Sequence, residues 1–122
     1  MKQALLIEDH ALFRQGLALL LEWRAGVRSV QAGSLAEGRQ ILSDGSGAAD
    51  VAIISLDLPD GDGNELIEKL HKFEPDVPVL ALTTDWSLAQ QARALEAGAN
   101  EVLTKAAPAE QIIESLERIQ RR

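Results

Sequence analysis

Short apolar runs alternate along this chain with longer stretches of helical period, the pattern of a parallel sheet covered by helices on both faces. Five runs read as strands, at 3–8, 27–32, 51–56, 77–83 and 100–104. The first, third and fourth are rich enough in Leu, Ile, Val and Ala to be buried on both faces, while the second and fifth are weaker. The first helix, at 10–24, carries Phe13, Leu17, Leu20 and Leu21 at helical spacing, with Trp23 expected at the edge of the core. The second, at 34–44, opens with Ser34 and Glu37 at capping-box spacing, presents Leu35, Gly38, Ile41 and Leu42, and ends at Asp44-Gly45-Ser46-Gly47. The third, at 63–73, presents Leu66, Ile67, Leu70 and Phe73 and stops at Glu74-Pro75, because a residue before proline avoids the helical region. The fourth, at 87–97, starts with Ser87 and Gln90 at capping-box spacing, has Leu88, Ala92 and Leu95 as its apolar stripe, and ends at Gly98. The fifth opens at Pro108 and continues through Ile112, Ile113, Leu116 and Ile119.

In open parallel sheets the ligand site lies beyond the carboxyl ends of the strands, and the polar residues gather there. Glu8 and Asp9 close the first strand, Ser55 the third, Thr83 and Thr84 the fourth, and Thr104 and Lys105 the fifth. Carboxylates, hydroxyls and one lysine in that arrangement suit a hard cation such as Mg2+ together with a phosphoryl group. A length of 122 residues fits one domain, 1–122. The net charge of -7 opposes direct nucleic-acid binding, and the absence of cysteine removes disulfides, thiol catalysis and thiolate metal sites. No apolar run reaches the length of a membrane span, and the N-terminal run is too short for a signal peptide, so a cytoplasmic location is expected.

The stretches IEDHALFRQGLALLLE, LDLPDGDGNEL and LEAGANEVLTK, in this order, resemble the receiver domain of two-component response regulators, and most of all its LuxR/NarL group. The resemblance spans nearly every element. It implies a flavodoxin-like (βα)5 fold, a doubly wound parallel sheet of strand order 2-1-3-4-5. It makes Glu8 and Asp9 the acidic pair, with Asp9 the direct metal ligand, Thr83 the switch hydroxyl and Lys105 the lysine that contacts the phosphoryl group. In the family the position of Asp57 offers its backbone carbonyl to the metal.

Three positions depart from the family pattern. The phosphorylated aspartate stands four residues before the loop proline, and four residues before Pro59 is Ser55. Val102 occupies the place, three before the lysine, where an aromatic residue often rotates inward on activation. Ala106 follows Lys105 in place of the proline common across receivers, which the LuxR/NarL group also frequently lacks.

Serine is neither an ionised nucleophile nor a metal ligand without help, and no histidine is placed to activate it. His10, at a helix-opening position, is expected to face solvent or to cap, and His71 to lie on the surface. With the third carboxylate gone, any Mg2+ site is weakened, and Lys105 is expected to pair directly with Asp9 or Glu8. Asp57 shares a face with Ser55 if the strand stays extended, as a displaced acceptor or substitute metal ligand, but otherwise reads as a solvated loop carboxylate. Asp60-Gly61-Asp62-Gly63 reads as turn chemistry, and Thr84, Asp85 and Ser87 as helix-capping residues. Trp86, at a loop-helix junction, is either a surface for contacts or partly buried.

The favoured expectation is a non-enzymatic, phosphorylation-independent interaction module. Its surface would be helices 4 and 5 or helices 1 and 5, used for a protein partner or a homodimer, with a helix-turn-helix output domain following in a longer chain. The alternative is a Mg2+-dependent phosphorelay receiver with its acceptor displaced to Asp57 or Ser55. A small-ligand sensor has no specific support in the sequence. A metabolic enzyme lacks a phosphate-cradling glycine loop and an activated nucleophile.

Overall fold

A computed structural model of the chain describes residues 2–45 and 49–121. Its elements follow the order β1 (Gln3–Ile7), α1 (Ala11–Ala25), β2 (Arg28–Ala32), α2 (Leu35–Asp44), β3 (Val51–Ser55), β4 (Asp57–Leu58), β5 (Gly61–Asp62), α3 (Asn64–Phe73), β6 (Val79–Thr83), α4 (Leu88–Ala97), β7 (Glu101–Thr104) and α5 (Ala109–Gln120). Five of these strands make one parallel sheet in the order β2-β1-β3-β6-β7. Since β6 and β7 are its fourth and fifth members in sequence, this is the expected 2-1-3-4-5 flavodoxin-like arrangement. The sequence did not announce β4 and β5, which pair antiparallel across the Pro59-Asp60 turn.

Strand side chains alternate between faces, so each central strand feeds two cores. Leu5, Ile7, Ala52, Ile54, Val79 and Ala81 pack with α2, α3 and α4, while Ala4, Leu6, Val51, Ile53, Leu80 and Leu82 pack with α1 and α5. The edge strands β2 and β7 are only partly buried, consistent with their weaker apolar runs. The capping signals act as read, with Ser34 Oγ accepting from Glu37 N at 3.1 Å and Ser87 Oγ from Gln90 N at 3.2 Å. Gly45 closes α2 in a left-handed conformation; Ser46 and Gly47, named with it, lie outside the described residues.

Several apolar assignments are reversed. Trp23 is 80% exposed and not at a core edge, and Phe73 at the end of α3 is also exposed. On α4 the expected stripe points outward: Leu88, Ala92 and Leu95 are exposed, and the helix buries Ala94 and Ala97. Alanines bring that helix close to its neighbours, so its bulky leucines remain on the far side.

Candidate functional site

The carboxyl ends of β1, β3 and β6, with the residue after β7, bring Glu8, Ser55, Thr83 and Lys105 to one end of the sheet. Ser55 continues the Val51 and Ile53 row toward α1 and α5, and Ile7 pairs with Ile54, so Glu8 follows alongside Ser55. Glu8 and Ser55 are both fully buried. The backbone of Gly63 lies so near Ser55 that a Cβ on Gly63 would fall 2.0 Å from the Ser55 carbonyl oxygen, which explains the glycine there.

Lys105 Nζ donates to Glu8 Oε1 at 2.6 Å, and the backbone N–H of His10 donates to the same oxygen at 3.2 Å. Of the two partners left open by the sequence, the lysine takes Glu8. The ring of Phe13 lies 5.3 Å from the ammonium and backs it from the α1 side. Arg14 fixes the turn after β1 by donating from Nη1 to the Glu8 carbonyl at 2.7 Å and from Nε to Gln31. Asp9 and His10 are exposed, and His10, although at the N-cap of α1, makes no side-chain cap. Glu8 Oε2 and Ser55 Oγ are buried without a hydrogen-bond partner among the described residues.

Asp57 corrects the solvated-carboxylate reading. Its Oδ2 accepts from Thr84 N at 2.7 Å, Thr84 Oγ1 at 3.1 Å and Thr83 Oγ1 at 3.2 Å. Thr83 Oγ1 also accepts from Asp85 N at 3.1 Å, so the hydroxyl is held at both ends. Thr84, expected to cap a helix, therefore serves the Asp57 carboxylate, while Ser87 caps α4 and Asp85 Oδ1 accepts from Ser87 N. Val102 is half-buried against the core shared with α2, α3 and α4. Trp86 is 47% exposed.

The acidic loop does more than turn. Asp60 accepts from the backbone N–H groups of Leu35 at 2.8 Å and Ala36 at 3.0 Å, capping the first turn of α2 from across the molecule. Asp62 accepts from Asn64 N and pairs with Arg93 of α4. No local spacing links Asp60 to Leu35, so the sequence held no signal for this contact.

The Leu35 N–H, then the Ala36 N–H, hold the Asp60 carboxyl below the usual carboxylate range. A lowered folded-state pKa adds stability above the unfolded-state value, and that stability is lost as pH falls through the lowered value. Asp60→Ala is therefore expected to lower Tm by a few degrees at neutral pH. The difference from wild type should shrink below about pH 4. Thermal unfolding across pH, with hydrogen exchange at Leu35 and Ala36, checks both parts.

Several of the groups that would meet a hard cation are already engaged by the chain itself. Glu8 commits Oε1 to Lys105, Asp57 commits Oδ2 to the two threonines, and Ser55 carries no charge. Among the described residues no three His, Asp or Glu side chains converge as a ligand set. No helix there is long and apolar enough to cross a membrane.

Comparison with known proteins agrees with this architecture. Residues 4–117 match the response regulator receiver domain family. The chain is 31% identical over 120 residues to the transcriptional regulatory protein PhoP of Escherichia coli, covering 98% of this chain and 52% of PhoP. It is 32% identical over 115 residues to the photosynthetic apparatus regulatory protein RegA of Cereibacter sphaeroides, covering 94% of this chain and 61% of RegA. It thus spans about half to three-fifths of these two relatives. Among solved structures, a CheY-like receiver domain protein from Methanospirillum hungatei superposes with TM-score 0.90 at 25% identity, covering 99% of this chain and 94% of that one. A Burkholderia pseudomallei response regulator with a phosphorylated aspartic acid, calcium ion and citrate superposes with TM-score 0.84 at 32% identity, covering 95% and 66%. With its sheet order, its strand-end cluster and a family match across nearly its whole length, the chain belongs to the response regulator receiver domain family of two-component signalling.

Proposed function

We propose that this receiver domain signals without phosphorylation, as a non-enzymatic interaction module needing no Mg2+. The observation that carries this reading is that the groups aligned with phosphoryl recognition are already satisfied by the chain's own carboxylates. Lys105 is paired to Glu8, and the Thr83 hydroxyl and the Thr84 N–H are held by Asp57. Ser55 at the acceptor position cannot form an acyl phosphate, and its buried hydroxyl makes no hydrogen bond to a base among the described residues. In this reading the domain rests in one arrangement and acts through its surface. Its setting is the cytoplasmic N-terminal part of a longer LuxR/NarL-type transcriptional regulator, with DNA contacts left to an output domain.

Intact mass after incubation with acetyl phosphate and Mg2+ tests the reading, and no gain is expected. A gain removed by hydroxylamine would place an acyl phosphate on a displaced carboxylate such as Asp57. A gain resistant to hydroxylamine would place a phosphoester on Ser55. Either gain overturns the proposal.

A further inference from the structure

At the amino-terminal edge of the sheet, the end opposite Lys105, lies an open pocket of about 550 Å³. Leu42 near the end of α2, Leu70 and Phe73 in the last turn of α3, Ala49 ahead of β3 and Val77 ahead of β6 form its apolar wall. The volume is in the range that holds a small organic molecule. Phe73 is 66% exposed and belongs to neither core, so its ring is free to face an occupant.

Among the lining residues only Lys69 and Glu74 are charged, one of each sign. Neither side chain makes an ion pair or a hydrogen bond among the described residues. Glu65 feels the Lys69 charge, but its own bonds go to Arg39. Five residues apart, Lys69 and Glu74 do not face each other as residues three or four apart do, so they flank the pocket without closing on one another. The fold also sets a field across it. Both α2 and α3 end here, and the carbonyl ends of two helices favour a positive group beside Glu74, which is itself the C-cap of α3, while Lys69 stands about a turn earlier.

A ligand that uses all of these features carries a carboxylate, an ammonium and an apolar body. A purely apolar molecule would leave both charges unused. An aromatic or fatty acid would place its carboxylate on Lys69 and bring nothing to Glu74 and the two carbonyl ends. We propose that this pocket is a binding site for a free amino acid with a large apolar side chain, its carboxylate held by Lys69, its ammonium beside Glu74 and its side chain on the wall of Leu42, Leu70, Phe73 and Val77. Such a ligand ties the ends of α2 and α3 together and gives the domain an input remote from Ser55. The proposal does not rest on the phosphorylation-independent reading. The site is open, so the affinity is modest, with Kd of roughly 0.1–1 mM.

Amide shifts of the isotope-labelled full chain, titrated to about ten times the upper Kd, test this. L-phenylalanine and L-leucine are expected to shift Ala49, Leu70, Phe73 and Val77 saturably and to leave Glu8 and Lys105 unmoved. L-phenylalaninamide lacks the carboxylate and 3-phenylpropionate lacks the ammonium, and each should bind at least about fivefold more weakly than L-phenylalanine. Glycine lacks the apolar body and should not saturate. Lys69→Met should abolish the preference for phenylalanine over its amide, and Glu74→Gln the preference over 3-phenylpropionate. Lys69 is half-buried and Glu74 exposed, so both variants should keep the wild-type Tm, which shows that the fold is intact. Absence of saturable shifts with both amino acids overturns the proposal. So do shifts centred on Glu8 and Lys105, equal binding of the amide or of 3-phenylpropionate, or unchanged binding by Lys69→Met.

Discussion

Replacing Lys105 with Met is expected to lower the unfolding free energy by about 3–5 kcal/mol, because it strands a buried carboxylate. Glu8 is fully buried, and its Oε1 accepts from the Lys105 ammonium at 2.6 Å and from the His10 N–H at 3.2 Å. Without the ammonium, one backbone N–H remains to satisfy a full negative charge. Glu8→Gln leaves the converse problem in milder form, since the lysine side chain retains 15% exposure and its flexible stem can turn toward water. That variant should lose about 1–2 kcal/mol. The double variant Glu8→Gln/Lys105→Met removes both charges and should recover at least half of the Lys105→Met loss. Urea unfolding of the four proteins completes the cycle. A loss below about 1 kcal/mol for Lys105→Met would mean that the pair behaves like a surface ion pair.

The acidic pair and the lysine could be anticipated because each sits at the end of a strand whose apolar run is plain, and parallel pairing brings those ends together. Sequence alone left open whether the lysine takes Glu8 or Asp9. Glu8 continues the inward-facing row of Ala4 and Leu6, which brings it beneath Lys105, while Asp9 turns out to solvent. Asp57 was misread for a related reason. Its carboxylate reaches Thr83 and Thr84 once the chain has doubled back through β4 and β5, a ladder of two residues on each side that leaves no periodic trace. The α4 error has another origin. Hydrophobic periodicity weights bulk, so Leu88 and Leu95 mark the apolar direction although a close-packed helix buries its alanines. The same bias drew Trp23 of α1 toward the core by size alone.

Restoring an aspartate at the acceptor position should reverse the electrostatics of the site. Ser55→Asp places a second carboxylate in a fully buried position beside Glu8, with Lys105 already engaged by Glu8. One ammonium then faces two buried negative charges, and stability without divalent cations should fall by about 2–4 kcal/mol. Mg2+ should recover part of that loss in Ser55→Asp and have no comparable effect on wild type, because a ligand that binds only the folded state stabilises it in proportion to RT ln(1 + [L]/Kd). At ten times Kd the recovery is about 1.4 kcal/mol. The variant also gains the carboxylate that an acyl phosphate requires, so acetyl phosphate with Mg2+ should add one hydroxylamine-labile phosphoryl group to it and none to wild type. Thermal unfolding with and without Mg2+, followed by intact mass, reads both effects. Equal stabilisation of the two proteins by Mg2+ would show that Glu8, Asp9 and Asp57 already hold the cation without a carboxylate at position 55, and the interaction-module reading would then lose its electrostatic basis. A variant that gains Mg2+ dependence and phosphate uptake together would instead trace the difference between the two proteins to one side chain.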